Sequence, residues 1–340
     1  MIEWLYRKIF IAIVSDRDGY DVRAIALKQN KVLQKEAKRF DGENAFEEMH
    51  KFLRKQMDDT PLHYIALLNS DPHQGAISGC SLHNIDHELS GAKTLCRNQK
   101  WLLHTSLSEI DALKKRFSEV GIDYLFSPFS IIEHFFHDKI STGLALYALA
   151  QKDSFSVAIF DEGILEFAHH YPLHVPSEET NENIDGAIGF TVGIEEEVEK
   201  GIDLDEIESL DDLDIIDELD GLSDIEDLDS LEEIAEFSED EPTLEEKRSS
   251  ALSANTTKSE MDRFGDDYLR FELIQKTLKT FYVSEQCRNR FIETVYIADG
   301  YGSGSELKSY LEEELFLNVL IRRIDLGDEV IALAMSEDGQ

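Results

Sequence analysis

The stretch FIAIVSDRDGYDVRAIAL, Phe10 to Leu27, decides the architecture of this 340-residue chain. Every side chain from Ile9 to Val14 is apolar, Asp18-Gly19 supplies a tight turn, and strand-forming residues resume from Tyr20 to Leu27. A short continuous apolar run fits a strand buried on both faces, and the turn folds the next strand back onto it. Lys31–Phe40 adds a third strand. Gly42–Met57 carries apolar residues at helical spacing, and HYIALLN, His63 to Asn69, returns as a strand. A second helix spans Leu107–Val120, after a cap at Ser106 or Ser108. From Gly143 come three more strands, LALYALA, FSVAIF and ILEFAHH, the last two joined by a turn at Asp161-Glu162-Gly163. The pattern predicts an α/β architecture in which antiparallel hairpins feed a mixed sheet.

Charge is unevenly spread. The formal net charge is −38, and between Glu195 and Glu246 there are 26 acidic residues against Lys200 alone. The rest of the chain is only moderately acidic and has no basic patch able to neutralise many phosphates. Nucleic-acid binding and direct attraction to an anionic membrane are therefore not expected. From Ile207 to Phe237 an apolar residue recurs at every third position. That period drifts around an α-helix by about 60° per triplet, and carboxylate repulsion opposes compaction. Residues 193–262 are thus expected to be a disordered acidic insertion, either a solvating linker or a multivalent bait for a basic partner. No segment reaches the roughly 20 apolar residues that span a bilayer, so no direct membrane insertion is expected, and a cytoplasmic location is. The three cysteines, odd in number and irregularly spaced, suggest a reducing compartment without a disulfide framework. Cys80, His83, His87 and Cys96 supply zinc-type donors at a spacing that matches no familiar finger, and structural roles are the simpler reading. Cys287 lies far from them in sequence.

Order is predicted to resume with a helix over Phe264–Gln286. The segment FIETVYIADGYGSGSEL, Phe291 to Leu307, then sets a strand before Gly300, Gly302 and Gly304, with a helix from Ser305 to Phe316. Strand, glycine turn and helix N-terminus can hold an anion, because unpaired amides and the helix dipole converge there. The spacing is neither a Rossmann fingerprint nor a Walker A motif, and the same glycines also serve as plain turn chemistry. Asn318 begins a further strand, NVLIRRID, and GDEVIALAMS closes the fold.

In this order the parts resemble the PilM-like branch of the actin-like ATPase fold, the cytoplasmic platform of type IV pilus and related secretion systems. FIAIVSDRDGYDVRAIAL resembles its first strand, phosphate loop and second strand. VGIDYLFSPFSIIEHFF resembles the crossing to the second lobe, FSVAIFDEGILEFAHHYPL a hairpin of that lobe, and VYIADGYGSGSELKSYLEEELFLNV the adenosine loop with its helix. GIDYLFSPF and the acidic insert are also similar to members from Campylobacter-like bacteria, where such relatives associate with the flagellar motor. The resemblance implies an actin-like, duplicated ribonuclease H-like fold of two lobes. Residues 1–142 would form the first, with a small subdomain over about 34–106, and residues 143–192 plus 263–340 the second.

The resemblance further implies a nucleotide position at Asp299, Gly300, Gly302, Gly304 and Ser305. The family's first acidic loop falls at Val14, followed by Ser15 and Asp16, and its second near Leu146–Leu149, where no acid stands. Asp16 or Asp18 would be the phosphate-loop carboxylate of an active ATPase, the competing reading. The eroded pattern favours a non-catalytic scaffold with no cofactor or weak ATP binding. Its implied partner is a single-pass inner-membrane protein, held by its cytoplasmic N-terminal peptide at Tyr64, Ile65, Ala66, Leu67 and Leu68. A homo-oligomeric ring is a further expectation, and a polymerising filament a third class.

Overall fold

The computed structural model describes residues 6–29, 31–58, 60, 62–80, 89, 91–173, 265–284, 290–302 and 305–338. The acidic segment, His83, His87 and Cys287 lie outside them.

β1 (Arg7–Asp16), β2 (Gly19–Lys28) and β3 (Lys31–Asp41) form an antiparallel meander, and α1 (Ala45–Asp58) returns the chain to β4 (Leu62–Leu68), parallel to β1. A small three-stranded antiparallel sheet follows: β5 (Gln74–Ser78), β6 (Ala92–Arg97) and β7 (Trp101–Ser106), with β7 central. After α2 (Leu107–Arg116), β8 (Tyr124–Phe126) pairs parallel to β4, and α3 (Pro128–Phe135) leaves the sheet. Ser127 caps α3 by accepting a hydrogen bond from the Phe129 N–H, with Pro128 in the first turn, where its missing donor costs nothing.

The second half repeats this plan. β9 (Ala145–Ala150), β10 (Ser154–Asp161) and β11 (Ile164–Pro172) form the meander, and a helix over residues 265–283, α4, precedes β12 (Thr294–Asp299). Then come α5 (Ser305–Glu314), β13 (Asn318–Arg323) and α6 (Leu326–Asp338). The sheets run β3-β2-β1-β4-β8 and β11-β10-β9-β12-β13, with the same sequence of antiparallel and parallel neighbours. The connection spanned by residues 42–44 in the first half corresponds to 174–264 in the second.

Alternation along the central strands builds three apolar layers. Ile9, Ile11 and Ile13 face α1 and the end of α2, and Leu146, Ala148 and Ala150 face α4 and α5. Phe10 and Ala12, with Tyr147 and Leu149, face the shared middle layer. That layer is closed by an exchange. α3 follows the first sheet but packs on β9 and β10, whereas α6 follows the second and packs on β1, β2 and β4. Ion pairs fasten it: Lys8 to Asp338 at 2.7 Å, His134 of α3 to Glu329 of α6, and Arg97 to Glu133 and Glu337 at 3.3 and 2.9 Å.

Two expectations are corrected here. Cys80 and Cys96 are joined by a disulfide, so neither is a free thiol or a zinc thiolate. Among the described residues no His, Cys, Asp and Glu group of three or more is placed to hold a metal. Nor is β4 open to an added strand. It pairs with β1 on one side and β8 on the other, Ile65, Ala66, Leu67 and Leu68 are buried, and the Tyr64 ring stacks on Phe10 at 4.9 Å. No helix among the described residues is long and apolar enough to cross a membrane.

Candidate functional site

A cleft of about 960 Å³ lies where the carboxyl end of β1 meets that of β9, with Gly300, Tyr301 and Leu326 on its wall. Two hairpin turns dominate it. In the first, Asp16 and Gly19 pair across Arg17-Asp18. In the second, Gln151 donates its N–H to the Ser154 carbonyl at 3.0 Å across Lys152-Asp153. The two turns are equivalent by position, with Asp16 matching Gln151, Arg17 matching Lys152 and Asp18 matching Asp153. This corrects the sequence reading of the second loop. Leu146–Leu149 is wholly buried strand, and the true turn does contain an acid, Asp153. Asp161, by contrast, ends β10 at the next hairpin turn and pairs with Arg290.

The turns brace each other reciprocally. The Arg17 backbone N–H donates to the Asp153 carboxylate, and its guanidinium lies 3.7 Å from that group. Lys152 donates to Asp18 and lies 3.9 Å from Asp16. Each loop's base therefore meets the other loop's aspartate. The Lys152 ammonium, hydrogen-bonded to Asp18, holds that carboxyl below its ordinary pKa.

Asp16 is committed to its own surroundings. One oxygen accepts from the Asp18 and Gly19 amides at 2.8 and 3.0 Å, and Arg39 grips both oxygens at 2.6 and 2.8 Å. Arg39 also reaches Asp21 and Asp41 at 2.8 and 2.6 Å. Burial alone would raise the pKa of Asp16, but the Arg39 and Asp18 hydrogen bonds and the Arg39 and Lys152 charges together lower it. The third wall repeats the device. One oxygen of buried Asp299 accepts from Tyr301 and Gly302 N–H at 3.2 and 2.7 Å, filling the glycine loop from within. At the start of α6, Asp325 accepts from the Asp328 N–H at 3.0 Å and pairs with Arg23 at 3.1 Å. Amides of the kind that would meet an anion are thus already bonded to fixed carboxylates. The charged lining comprises five aspartates against three arginines and one lysine.

Of the expected nucleotide residues, Gly300 lines the cleft and Gly302 turns beside it at φ +95°. Ser305 begins α5, and Gly304 lies outside the described residues. Sequence reading missed Arg270, Tyr301 and His170. Arg270 of α4 is wholly buried, lies 5.5 Å from the Tyr301 ring centre and donates to the Gln151 carbonyl at 3.1 Å. A lone arginine in a helical pattern gives no sign of burial.

His170, 5% exposed, shares a hydrogen bond of 2.8 Å with the Ser156 hydroxyl. Burial, reinforced by His169 and opposed by Asp71, pushes its pKa down to about 4. Above pH 6.5 the ring is neutral both folded and unfolded. Below that the unfolded chain takes a proton that the folded ring refuses, so stability is lost as pH falls towards 4. Urea unfolding should show His170 contributing a loss of about 2 kcal/mol between pH 7 and pH 5. His170→Gln should remove that part of the slope; an unchanged slope would exclude the assignment.

The duplicated sheets, exchanged helices and shared cleft are those of the actin-like class. The chain aligns over 97% of its length with 98% of a chain of the PilM–PilN type IV pilus biogenesis complex, at 9% identity and a TM-score of 0.51. It aligns over 96% of its length with 95% of a Bacteroides thetaiotaomicron protein of actin-like ATPase fold and unknown function, at 9% identity and a TM-score of 0.49. The chain belongs to the family described as Domain of unknown function (DUF8341), whose model matches residues 146–339. A second model, Domain of unknown function (DUF8569), matches residues 6–133. No curated protein matches the chain in sequence.

Proposed function

We propose that this chain is a non-catalytic, PilM-like scaffold. It would act at the cytoplasmic face of the inner membrane by holding the cytoplasmic N-terminal peptide of a single-pass partner, in a pilus-, secretion- or flagellar-motor-type assembly. The observation that carries the reading is the cross-braced cleft, where Arg17–Asp153 and Lys152–Asp18 join the two turns directly. A triphosphate would have to displace these carboxylates without a net positive lining to draw it in. A metal would need a carboxylate free to bind it, and Asp16 is held by Arg39 and two amides.

The small sheet supports the peptide-binding half of the reading. Among the described residues β6 pairs only with β7, and Leu95 on β6 is 58% exposed. An extended peptide could add there as a further strand, its main chain supplying affinity and its side chains register.

Calorimetry of the full chain with ATP, with and without magnesium, tests the proposal. The expected result is no saturable heat, corresponding to a Kd weaker than about 1 mM. Magnesium-dependent binding in the micromolar range would restore the active ATPase, with nucleotide able to open the brace.

A further inference from the structure

One end of the first sheet gathers like charges. The register sets Arg7 of β1 opposite Lys28 of β2, and Lys28 opposite Lys31 of β3, so three bases lie in one row across neighbouring strands. Like charges directly opposite each other destabilise a sheet. Lys35 stands further along β3, and Lys28, Lys31 and Lys35 are all exposed. Among the described residues no carboxylate pairs with any of these lysines. Arg7 donates to the Gln34 side chain at 3.1 Å. Of the acids nearby, Glu36 accepts from Gln56 at 2.7 Å and Asp338 holds Lys8, while Asp58 at the end of α1 is exposed.

Apolar side chains stand among the bases. Val32 and Leu33 are 53% and 56% exposed, and Tyr6, just before β1, is 57% exposed. Leu33 is the extra residue of a bulge, because Ala26 pairs with Gln34 and Leu27 with Val32. Such a bulge re-aims the side chain it adds. β3 is the outermost strand of its sheet, and lysines alone would guard its bare edge against another strand. Exposed valine and leucine beside them undo that guard, so a different surface accounts for the combination.

The distribution over the two faces indicates which. Arg7 and Lys28 alternate with Ile9 and Ala26 on the α1 face, and Lys31 lies opposite Lys28. Lys35 lies opposite Ile25, on the other face. A tip charged on both faces, with apolar residues between, suits a plane that it dips into better than a peptide laid along one face. We infer that this end of the first sheet docks on an anionic lipid surface, with Arg7, Lys28, Lys31 and Lys35 among the headgroups and Tyr6, Val32 and Leu33 at the acyl boundary. The negative charge of the whole chain opposes such contact only at long range. Screening beyond about 8 Å at physiological salt leaves the tip to act locally. The contact is adsorption without a spanning segment, and it depends neither on the cleft nor on β6.

Cosedimentation of the full chain with vesicles tests it, at about 0.15 M salt, the ionic strength of that screening length. The chain should pellet with phosphatidylcholine vesicles containing phosphatidylglycerol at about two parts in five, and stay in solution with phosphatidylcholine alone. One base near such a surface is worth a factor of about five, so Lys28→Gln with Lys31→Gln should weaken binding about twentyfold. The same pair should leave the urea midpoint unchanged or raised, because opposed charges are relieved. Val32→Ser with Leu33→Ser should weaken binding about tenfold. Failure to pellet with the anionic vesicles at about 1 mM lipid would overturn the inference, and binding of polyglutamate in their place would assign the tip to an acidic protein segment. Equal pelleting with both lipids, or either double variant binding like the parent, would overturn it too.

Discussion

A Gly19→Val chain is expected to lose its cooperative native state. A Cβ at position 19 would stand 1.9 Å from the Phe40 carbonyl oxygen and 2.9 Å from an Asp41 carboxylate oxygen. The first of these is backbone of β3, paired with β2, and cannot rotate aside as a side chain would. The hairpin and β3 must therefore separate, which also pulls Arg39 away from Asp16. Overpacking alone costs about 1–3 kcal/mol, and parting β3 from β2, with loss of the part-exposed Arg39 network, takes the expected cost to about 3 kcal/mol. Urea unfolding followed by circular dichroism measures it. A transition within about 1 kcal/mol of the parent would show that the strands can part without penalty.

The second large effect concerns Arg270 and Asp267, which are 0% and 1% exposed and 3.5 Å apart. Truncating one partner strands a buried charge, so Asp267→Ala should cost about 3–5 kcal/mol. An apolar pair of similar volume, Asp267→Leu with Arg270→Met, should recover most of that loss, because neither charge then has to leave water. Equal destabilisation in the single and double variants would instead place the cost in packing against Tyr301.

How far the sequence discloses this molecule depends on the range of each contact. The run Ile9–Val14, the Asp18-Gly19 turn and the strand after it are local, and β1 and β2 follow that reading closely. So do the hairpin around Asp161 and the helix over residues 265–283. Long-range pairing left no such mark. HYIALLN has the apolar pattern of any well-buried strand, and only the pairing of β4 with both β1 and β8 shows that neither edge is open. The equivalence of Asp16-Arg17-Asp18 with Gln151-Lys152-Asp153 is hidden in the sequence because the second turn opens on Gln151, where the first has an aspartate, and its acid stands two residues later. Likewise, the 16-residue separation of Cys80 and Cys96 says nothing of their meeting, which the pairing of β5 and β6 with the two sides of β7 arranges. The acidic segment was legible as a change of composition; its structure lies outside the described residues.

The exchange of α3 and α6 carries a consequence for the order in which the protein can be completed. A ribosome delivers β1 more than 300 residues before Leu326–Asp338, the helix that covers the inner face of that strand. At about 5–20 residues per second, the opening strands wait tens of seconds for their cover. During that interval Phe10 and Ala12 present bare apolar surface, and Lys8 lacks the Asp338 contact that later bridges nearly the whole chain. Nascent chains halted before Leu326 should therefore engage chaperones and yield to protease, whereas release of the finished helix closes the first sheet and the middle layer together.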